Sequence, residues 1–219
     1  MAAIAAGTAL GNAAAQEPAF RYEITPYAAY RIGGEFEPQD DAEPKNGGGG
    51  FELHEGNAAG LVVDIRTSAG NQLSGGSGQW ELLYAHQSTE LETEPSFAGG
   101  PTLDLDVSHF QFGGVYLFED DSETLVPFIA MTAGVARFEP RLDEADAEDF
   151  FSWSLGGGVH LRADQRIGVR LEARVYGTLI DDDSALFCVV SPTVNSCAIR
   201  VEGDQLYQFE ARVGLVGRF

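Results

Sequence analysis

The sequence predicts an all-β fold: an eight-stranded antiparallel up-and-down transmembrane β-barrel with short periplasmic turns and long extracellular loops. Apolar and polar residues alternate with a period of two in eight segments, while a helical period is nowhere sustained. The connections between these segments alternate between short and long. No apolar run reaches the roughly 18 residues that a membrane-spanning helix needs, whereas a barrel strand crosses with about 9–11 residues.

The eight segments are residues 22–32, 59–66, 79–91, 110–118, 125–138, 151–161, 167–179 and 207–219. The seventh is the clearest, because Val169, Leu171 and Val175 share one face while Arg170 and Glu172 share the other. Short connections are predicted at 119–123 and 163–166, and long ones at 37–50, 92–102, 139–149 and 180–204. The connection 67–78 is the exception, since its place in the alternation predicts a short turn.

Composition narrows the function classes. The 219 residues include 34 acidic and 13 basic residues, giving a net charge of −21, and every basic residue except Lys45 is an arginine. This charge excludes a generic nucleic-acid binder, because phosphate contact needs a cationic surface. The content of 14 Phe, 7 Tyr and 2 Trp argues against a disordered acidic chain.

Residues 1–15 are small and weakly apolar and end in Ala13-Ala14-Ala15. This ending is typical of a secretory signal peptide with an A-x-A cleavage site, although the basic n-region is missing. We therefore predict a signal peptide that is incomplete or begins at a misplaced start codon; the alternative is an Ala-rich terminus without that role. The barrel domain is predicted for residues 20–219.

Period-two alternation alone fits two kinds of barrel. A soluble, lipocalin-like barrel turns its apolar face inward, whereas an outer-membrane barrel turns it toward lipid. Three features favour the membrane. The first is that the last alternating strand ends on Phe219, and the second is that arginine alternates with acid on the polar face, as in Arg170-x-Glu172-x-Arg174. A third is that aromatic residues of the apolar face gather near both strand ends, as interfacial girdles do. One rim holds Tyr22, Trp80, Tyr116, Phe118 and Phe219, and the other Tyr30, Phe36, Phe151, Trp153, Tyr207 and Phe209.

In the membrane interpretation the polar face points into the lumen as a network of opposite charges. Eight strands leave an interior about wide enough for side chains to fill, so a plugged structural core is favoured over a gated polar pathway. The predicted lumen charge network is Glu23, Arg31, Asp64, Arg66, Glu81, Arg170, Glu172, Arg174, Glu210, Arg212 and Arg218.

Short motifs in a consistent order carry a family resemblance. They are Tyr27 with Gly33-Gly34-x-Phe36, Glu81-Leu-Leu-Tyr84, Gly113-Gly114, Pro127-Phe128, Gly156-Gly-Gly158 and the terminal Phe219. The chain resembles the proteobacterial outer-membrane β-barrel domain family, of the small OmpA/OmpX-type architecture. The resemblance implies the outer membrane of a Gram-negative bacterium, contact with outer-membrane lipid, and recognition of Phe219 by the barrel-assembly machinery.

One pair of residues carries an enzymatic alternative. His86 and Ser88 lie on the same strand face, and lipid A deacylases of this barrel size use a lipid-facing His/Ser arrangement. No nucleophile elbow or oxyanion motif accompanies the pair, and i, i+2 spacing does not establish general-base geometry. We therefore predict no enzyme and no catalytic residue, with a lipid-modifying hydrolase as the alternative.

The two cysteines, Cys188 and Cys197, lie nine residues apart in one predicted loop. They lack CxxC spacing and a nearby histidine, so a zinc site is not predicted. A disulfide in an oxidising compartment is the favoured interpretation, and two unpaired thiols the alternative.

The predicted long loops are rich in Asp and Glu without the register of an EF-hand. We predict a solvated surface, no resident metal or cofactor, and at most weak bridging to anionic lipid by divalent cations. The overall expectation is a monomeric, non-enzymatic outer-membrane protein with an envelope-structural or surface-interaction role. The alternatives are the hydrolase and a narrow pore for small solutes.

Overall fold

Eight long strands form the wall of the protein. In this computed structural model they are β1 (Tyr22–Ile32), β4 (Gly56–Arg66), β5 (Ser77–Glu92), β6 (Thr102–Leu117), β7 (Leu125–Pro140), β8 (Glu148–Leu161), β9 (Ile167–Leu179) and β12 (Gln205–Arg218). Four shorter strands are β2 (Glu35–Phe36), β3 (Phe51–Glu52), β10 (Cys188–Ser191) and β11 (Val194–Cys197). The structure describes residues 20–36, 51–67, 76–92, 102–118, 124–141, 147–161, 166–180, 188–191, 194–197 and 205–219.

The wall is a closed antiparallel barrel in which each long strand pairs with the next in the chain and β12 returns to β1. At the closure Phe219 N donates to Tyr22 O at 2.9 Å, so both ends of the barrel domain lie at the same rim. The predicted fold class, an eight-stranded up-and-down barrel, is confirmed. The described residues contain no helix with the length and apolar character of a membrane span.

Strand boundaries differ from the predicted ones at the rim opposite the termini. β1 and β9 begin and end where the alternation predicts, but β6 begins at Thr102 and not at residue 110. Two predicted loops also contain short hairpin pairings, β2 with β3 and β10 with β11. Gly33 and Gly34 have φ of 85° and 119°, left-handed conformations that glycine adopts readily and that turn the chain out of β1.

The two rims have different connections. The strands joined across 33–55, 93–101, 141–147 and 180–204 meet at the rim opposite the termini. In outer-membrane barrels the longer connections face the outside, so we name this the outer rim and the rim of Tyr22 and Phe219 the inner rim.

The outward face changes character along each long strand of β5 to β8. On β6, Phe110 and Phe112 point outward and are about half exposed, whereas nearer the outer rim the outward positions are Asp104, Asp106 and Ser108. Large apolar side chains cover the rest of the outer surface and form an apolar belt around the barrel. The belt includes Ile24, Leu61, Leu82, Ile129, Met131, Leu155, Leu171, Val213 and Leu215.

The inward face changes in the opposite sense. At the height of the belt it is largely polar, and above the belt it is apolar, with Leu105, Val107 and Phe138 each at most 1% exposed. Phe138 and Phe150 pack edge to face with ring centroids 5.6 Å apart. The top of the barrel is therefore built like a soluble barrel, and the belt region like a membrane barrel.

Candidate functional sites in the lumen and on the outer wall

Arg170 of β9 is the centre of the lumen charge network. Its Nη1 donates to Asp64 Oδ2 at 3.0 Å, its Nη2 to Glu81 Oε2 at 2.7 Å and its Nε to Glu172 Oε2 at 2.8 Å. Alternation along β9 turns both Arg170 and Glu172 inward, and the register of β4 with β5 places Asp64 beside Glu81. One guanidinium thus joins three carboxylates from three strands.

Arg174 occupies the next inward position but one of β9. It donates to Glu81 Oε1 and Glu172 Oε1, each at 2.7 Å, and to Ser154 Oγ at 2.9 Å. Gly156 of β8 makes the room, because a Cβ there would lie 2.4 Å from Glu172 Oε1. The first glycine of the Gly156-Gly-Gly158 motif is therefore required by packing, because a side chain there would collide with Glu172.

Closer to the outer rim, β1 and β12 contribute a second pair. Arg31 donates through Nε and Nη2 to Glu210 Oε2, at 3.0 and 2.6 Å, with both side chains fully buried. Arg212 links this pair to the first cluster, since it contacts both Glu172 and Glu210.

Aromatic rings of the lumen pack against these arginines. The guanidinium carbons lie 4.4 to 4.7 Å from the ring centroids, within the range of a cation–π interaction. The pairs are Arg31 with Tyr176, Arg170 with Phe128, and Arg212 with Tyr27.

The inner end of the lumen has a polar and an apolar side. Arg218 Nε lies 3.4 Å from Glu23 Oε1, which also accepts from Gln79 Nε2 at 3.1 Å, and Arg66 is half-buried nearby on β4. The opposite side is closed by an apolar cluster of β6 and β7, which comprises Val115, Leu117, Val126, Phe128 and Ala130.

A neutral hydrogen-bonded layer lies between the charges and the outer apolar cap, and sequence reasoning missed it. Gln111 Nε2 donates to Ser152 Oγ at 2.9 Å, and Gln111 Oε1 accepts from Thr132 at 2.7 Å and from Ser154 at 2.8 Å. His109 Nδ1 lies 3.2 Å from the same Ser152 Oγ. The only sequence signal was that each residue holds an inward position in its strand.

The arrangement of the lumen opposes passage of solutes. Of the eleven predicted lumen residues, all except Arg66 are at most 5% exposed, so water reaches almost none of their surface. Charges held in this way are costly to desolvate, and they are tolerated because each meets partners of opposite charge. The six arginines and five carboxylates also nearly balance.

A separate polar cluster lies on the outside of the wall, just above the belt. His86 Nδ1 is 2.9 Å from Ser108 Oγ on the neighbouring strand, and His86 Nε2 is 4.0 Å from Asp106 Oδ1. One residue pair below, the rings of Tyr84 and Phe110 mark the edge of the belt, with centroids 4.8 Å apart. The cluster therefore lies at the outer edge of the apolar belt, which in an outer-membrane barrel is the height of the boundary between hydrocarbon and headgroups.

The structure corrects the pairing assumed for the hydrolase alternative. Ser88 Oγ donates to Asp106 Oδ1 at 2.7 Å and accepts from Arg141 Nη2 at 3.0 Å, whereas the hydroxyl beside His86 belongs to Ser108. Residues directly opposite in the antiparallel register, here His86 and Ser108, meet more closely than residues i and i+2 of one strand. Arg141 also binds Asp106 through two nitrogens, at 2.8 and 2.9 Å, and this hydrogen-bonded carboxylate raises the pKa of the guanidinium above its ordinary value.

Several predicted residues have a place but no tested role. Phe219 is 69% exposed at the inner rim, where an interfacial aromatic belongs. The backbones of Cys188 and Cys197 are directly paired in the β10–β11 hairpin, and the disulfide stays a prediction. The signal peptide and most acidic loop residues lie outside the described residues, as does the side chain of Phe36. Within the described ranges no three His, Cys, Asp or Glu side chains are grouped as a metal site.

Comparison with known proteins identifies the fold. No family model and no curated protein matches the chain. Neisserial surface protein A aligns with a TM-score of 0.55 and 11% identity over 90% of this chain and 97% of its own. Ail, the attachment invasion locus protein of Yersinia pestis, aligns at 14% identity and a TM-score of 0.40 over 91% and 99% of the two chains. Its complex with the heparin analogue sucrose octasulfate aligns at 13% and 0.38, over the same share of each chain. The alignment with Neisserial surface protein A shows the fold alone. At TM-scores of 0.40 and 0.38, the two alignments with Ail support no further inference.

Proposed function

We propose that this chain is a non-enzymatic protein of the Gram-negative outer membrane, with a lumen closed by its own side chains. Its role is to contribute to the envelope, or to surface contacts, through its outer rim. The apolar belt supports the location, because it is complementary to hydrocarbon over the height that eight tilted strands span. The proposed membrane location therefore rests on the apolar outer surface of the barrel. The proposed absence of transport rests on the side chains that fill the lumen.

The observation that carries the proposal is the packing of the lumen. Charged, neutral and apolar layers follow one another toward the outer rim, and in the first two layers residues of strands that are not neighbours contact each other. Opening a path requires Arg170 to leave three carboxylates at once, which is costly inside a low-dielectric barrel.

Planar-bilayer recording tests this proposal directly. The refolded chain should insert without steady conductance. A variant with both Arg170→Ala and Arg174→Ala should conduct, because it loses the two side chains that join the carboxylates across the lumen. Steady conductance of the unmodified chain would contradict the closed lumen and favour the narrow-pore alternative.

One observation supports a second candidate, a lipid ester hydrolase: the contact of His86 with Ser108 beside Asp106 at the belt edge. In such a reaction Ser108 Oγ would attack an ester carbonyl while His86 takes the hydroxyl proton and gives it to the departing alcohol. Water would then release the fatty acid and restore the serine.

Two features of the wall count against this candidate. The nearby strand backbone N–H groups are engaged in the barrel ladder, so they are not available as an oxyanion hole. The mass of lipid A after expression decides between the candidates. The hydrolase would be established if lipid A lost one acyl chain when the unmodified protein or Ser88→Ala is expressed, and kept that chain when Ser108→Ala or His86→Ala is expressed.

A further inference from the structure

Two depressions on the outside of the wall lie on either side of Tyr30. The first is an apolar groove of about 360 Å³ in the outer half of the belt. Ala173 and Ala211 are paired across β9 and β12 and leave space between the larger side chains of Tyr30, Ile32 and Phe209. Because the groove faces hydrocarbon and its lining is mostly apolar, its polarity suits an acyl chain.

The second depression is a polar pocket of about 330 Å³ above the belt. Three carboxylates line it, from Glu55, Glu90 and Asp104, together with the hydroxyls of Ser88 and Thr89 and the guanidinium of Arg141. It lies at the height of lipid headgroups, since Ser88 is only two outward positions above Tyr84 of the belt edge.

Tyr30 connects the two depressions. Its ring lines the apolar groove, and it is paired in register with Asn57 of β4. Asn57 lies two residues after Glu55, whose carboxylate lines the polar pocket and interacts with the tyrosine hydroxyl. An apolar groove at acyl-chain depth and a polar pocket at headgroup depth, joined by one side chain, match the two ends of a single amphiphile.

The charges of the pocket specify the headgroup. The charge of Arg141 is already balanced by Asp106, so the remaining three carboxylates favour a cation with hydrogen-bond donors. Arg141 binds Asp106 and Ser88 through Nε and Nη2, so its Nη1 supplies the donors for an anionic group beside that cation. A headgroup that carries both an ammonium and a phosphate meets both requirements.

We propose that the groove and the pocket together bind one outer-leaflet lipid whose headgroup carries an ammonium and a phosphate, with an acyl chain lying over Ala173 and Ala211. The ammonium is held by Glu55 and Glu90, and the phosphate by Arg141. This site rests on the proposed membrane location but not on whether the lumen conducts.

The test is lipid retention by the refolded full chain in nanodiscs of equal parts phosphatidylethanolamine, phosphatidylcholine and phosphatidylglycerol. Insertion is checked first, from the heat-modifiable folded band, so that failure of the membrane location is distinguished from failure of the lipid site. After transfer to detergent, native mass spectrometry should show retained phosphatidylethanolamine enriched about tenfold over phosphatidylcholine, which lacks N–H donors.

Two variants test the groove and the pocket separately, and each has a matched control. Ala211→Trp fills the groove and Glu55→Gln removes a pocket carboxylate; each should abolish the enrichment. Ala133→Trp, on the lipid face of β7, and Asp149→Asn, at the rim of β8, should retain it. Equal retention of the three lipids, a preference for phosphatidylglycerol, or enrichment that survives both site variants would overturn the proposal.

Discussion

The belt region and the outer end of the same strands follow opposite rules. On β6, the inward residues just below the outer edge of the belt are His109 and Gln111, while those above that edge are Leu103, Leu105 and Val107. The outward residues change in the reverse order, from Phe110 to Asp106. The alternation continues unbroken through this change, so the pleat is constant and only the solvent outside differs. The change between Ser108 and Phe110 therefore marks, on this strand, the boundary of the proposed membrane.

The two regions also differ in what closes the interior. In the belt region opposite charges and neutral hydrogen bonds fill the lumen beside the apolar cluster of β6 and β7, because most large apolar residues are needed on the outside. Above the belt, water surrounds the wall and the interior is filled with leucine, valine and phenylalanine. The same kind of substitution on the same face should consequently change the free energy of unfolding by different amounts in the two regions.

The largest effect is expected in the belt lumen. Arg170→Leu removes the shared partner of Asp64, Glu81 and Glu172 and should lower the free energy of unfolding by about 3–5 kcal/mol, the cost of leaving buried charges unpaired. Urea unfolding in lipid vesicles measures it. A loss below about 1 kcal/mol would show that the network contributes no more than a surface pair.

The outward face gives the next largest effect. Phe112→Arg places a cation against hydrocarbon and should destabilise the barrel by about 2–4 kcal/mol. Asp104→Arg, on the same face of the same strand but above the belt, should change stability by less than about 0.5 kcal/mol. Equal losses for the two variants would contradict the boundary between Ser108 and Phe110.

The boundary also explains which strands were predicted well from sequence. β1 and β9 keep one apolar face over their whole length, and their limits were predicted to the residue. β6 exchanges its apolar face at residue 109, so a search for one continuous apolar face finds only its inner half. The rest of the strand, from Thr102, resembles an acidic loop because its outward positions are Asp104 and Asp106.

A smaller effect is expected outside the barrel wall. A disulfide between Cys188 and Cys197 would close a ring across the β10–β11 hairpin and stabilise it by about 2–3 kcal/mol at most. Mass spectrometry of the unreduced, exported chain should find both thiols absent and one bridge formed. Alkylation of both cysteines without reduction would refute it.

The smallest effect is expected at the outer rim. Arg137 and Asp149 form a two-pronged ion pair at 2.8 and 2.9 Å, but both side chains are about half exposed. Arg137→Gln should therefore lower the free energy of unfolding far less than Arg170→Leu, and the loss should shrink further in 1 M salt. A loss as large as that of Arg170→Leu would remove the contrast between lumen and rim.

Sequence reasoning reached the composition of the sites but not their contacts. Period-two alternation places Arg170, Glu172 and Arg174 on one face, yet their partners Asp64 and Glu81 lie about a hundred residues earlier and meet them only when the barrel closes. The same holds outside the wall, where His86 contacts Ser108 of the next strand and not Ser88 of its own. Pairings across strands depend on register, which one strand's pattern does not contain.

Site-directed spin labelling along β6 tests the central claim that polarity inverts at the membrane boundary. Single cysteines at positions 103 to 116, in a background with Cys188 and Cys197 replaced by serine, would each carry a nitroxide label in lipid vesicles. Labels on the outward positions 110, 112, 114 and 116 should collide with oxygen but not with a water-soluble nickel complex. Those at 104, 106 and 108 should collide with the nickel complex, and those at 103, 105 and 107 with neither. Oxygen-only accessibility continuing through 104 to 108 would contradict the inversion.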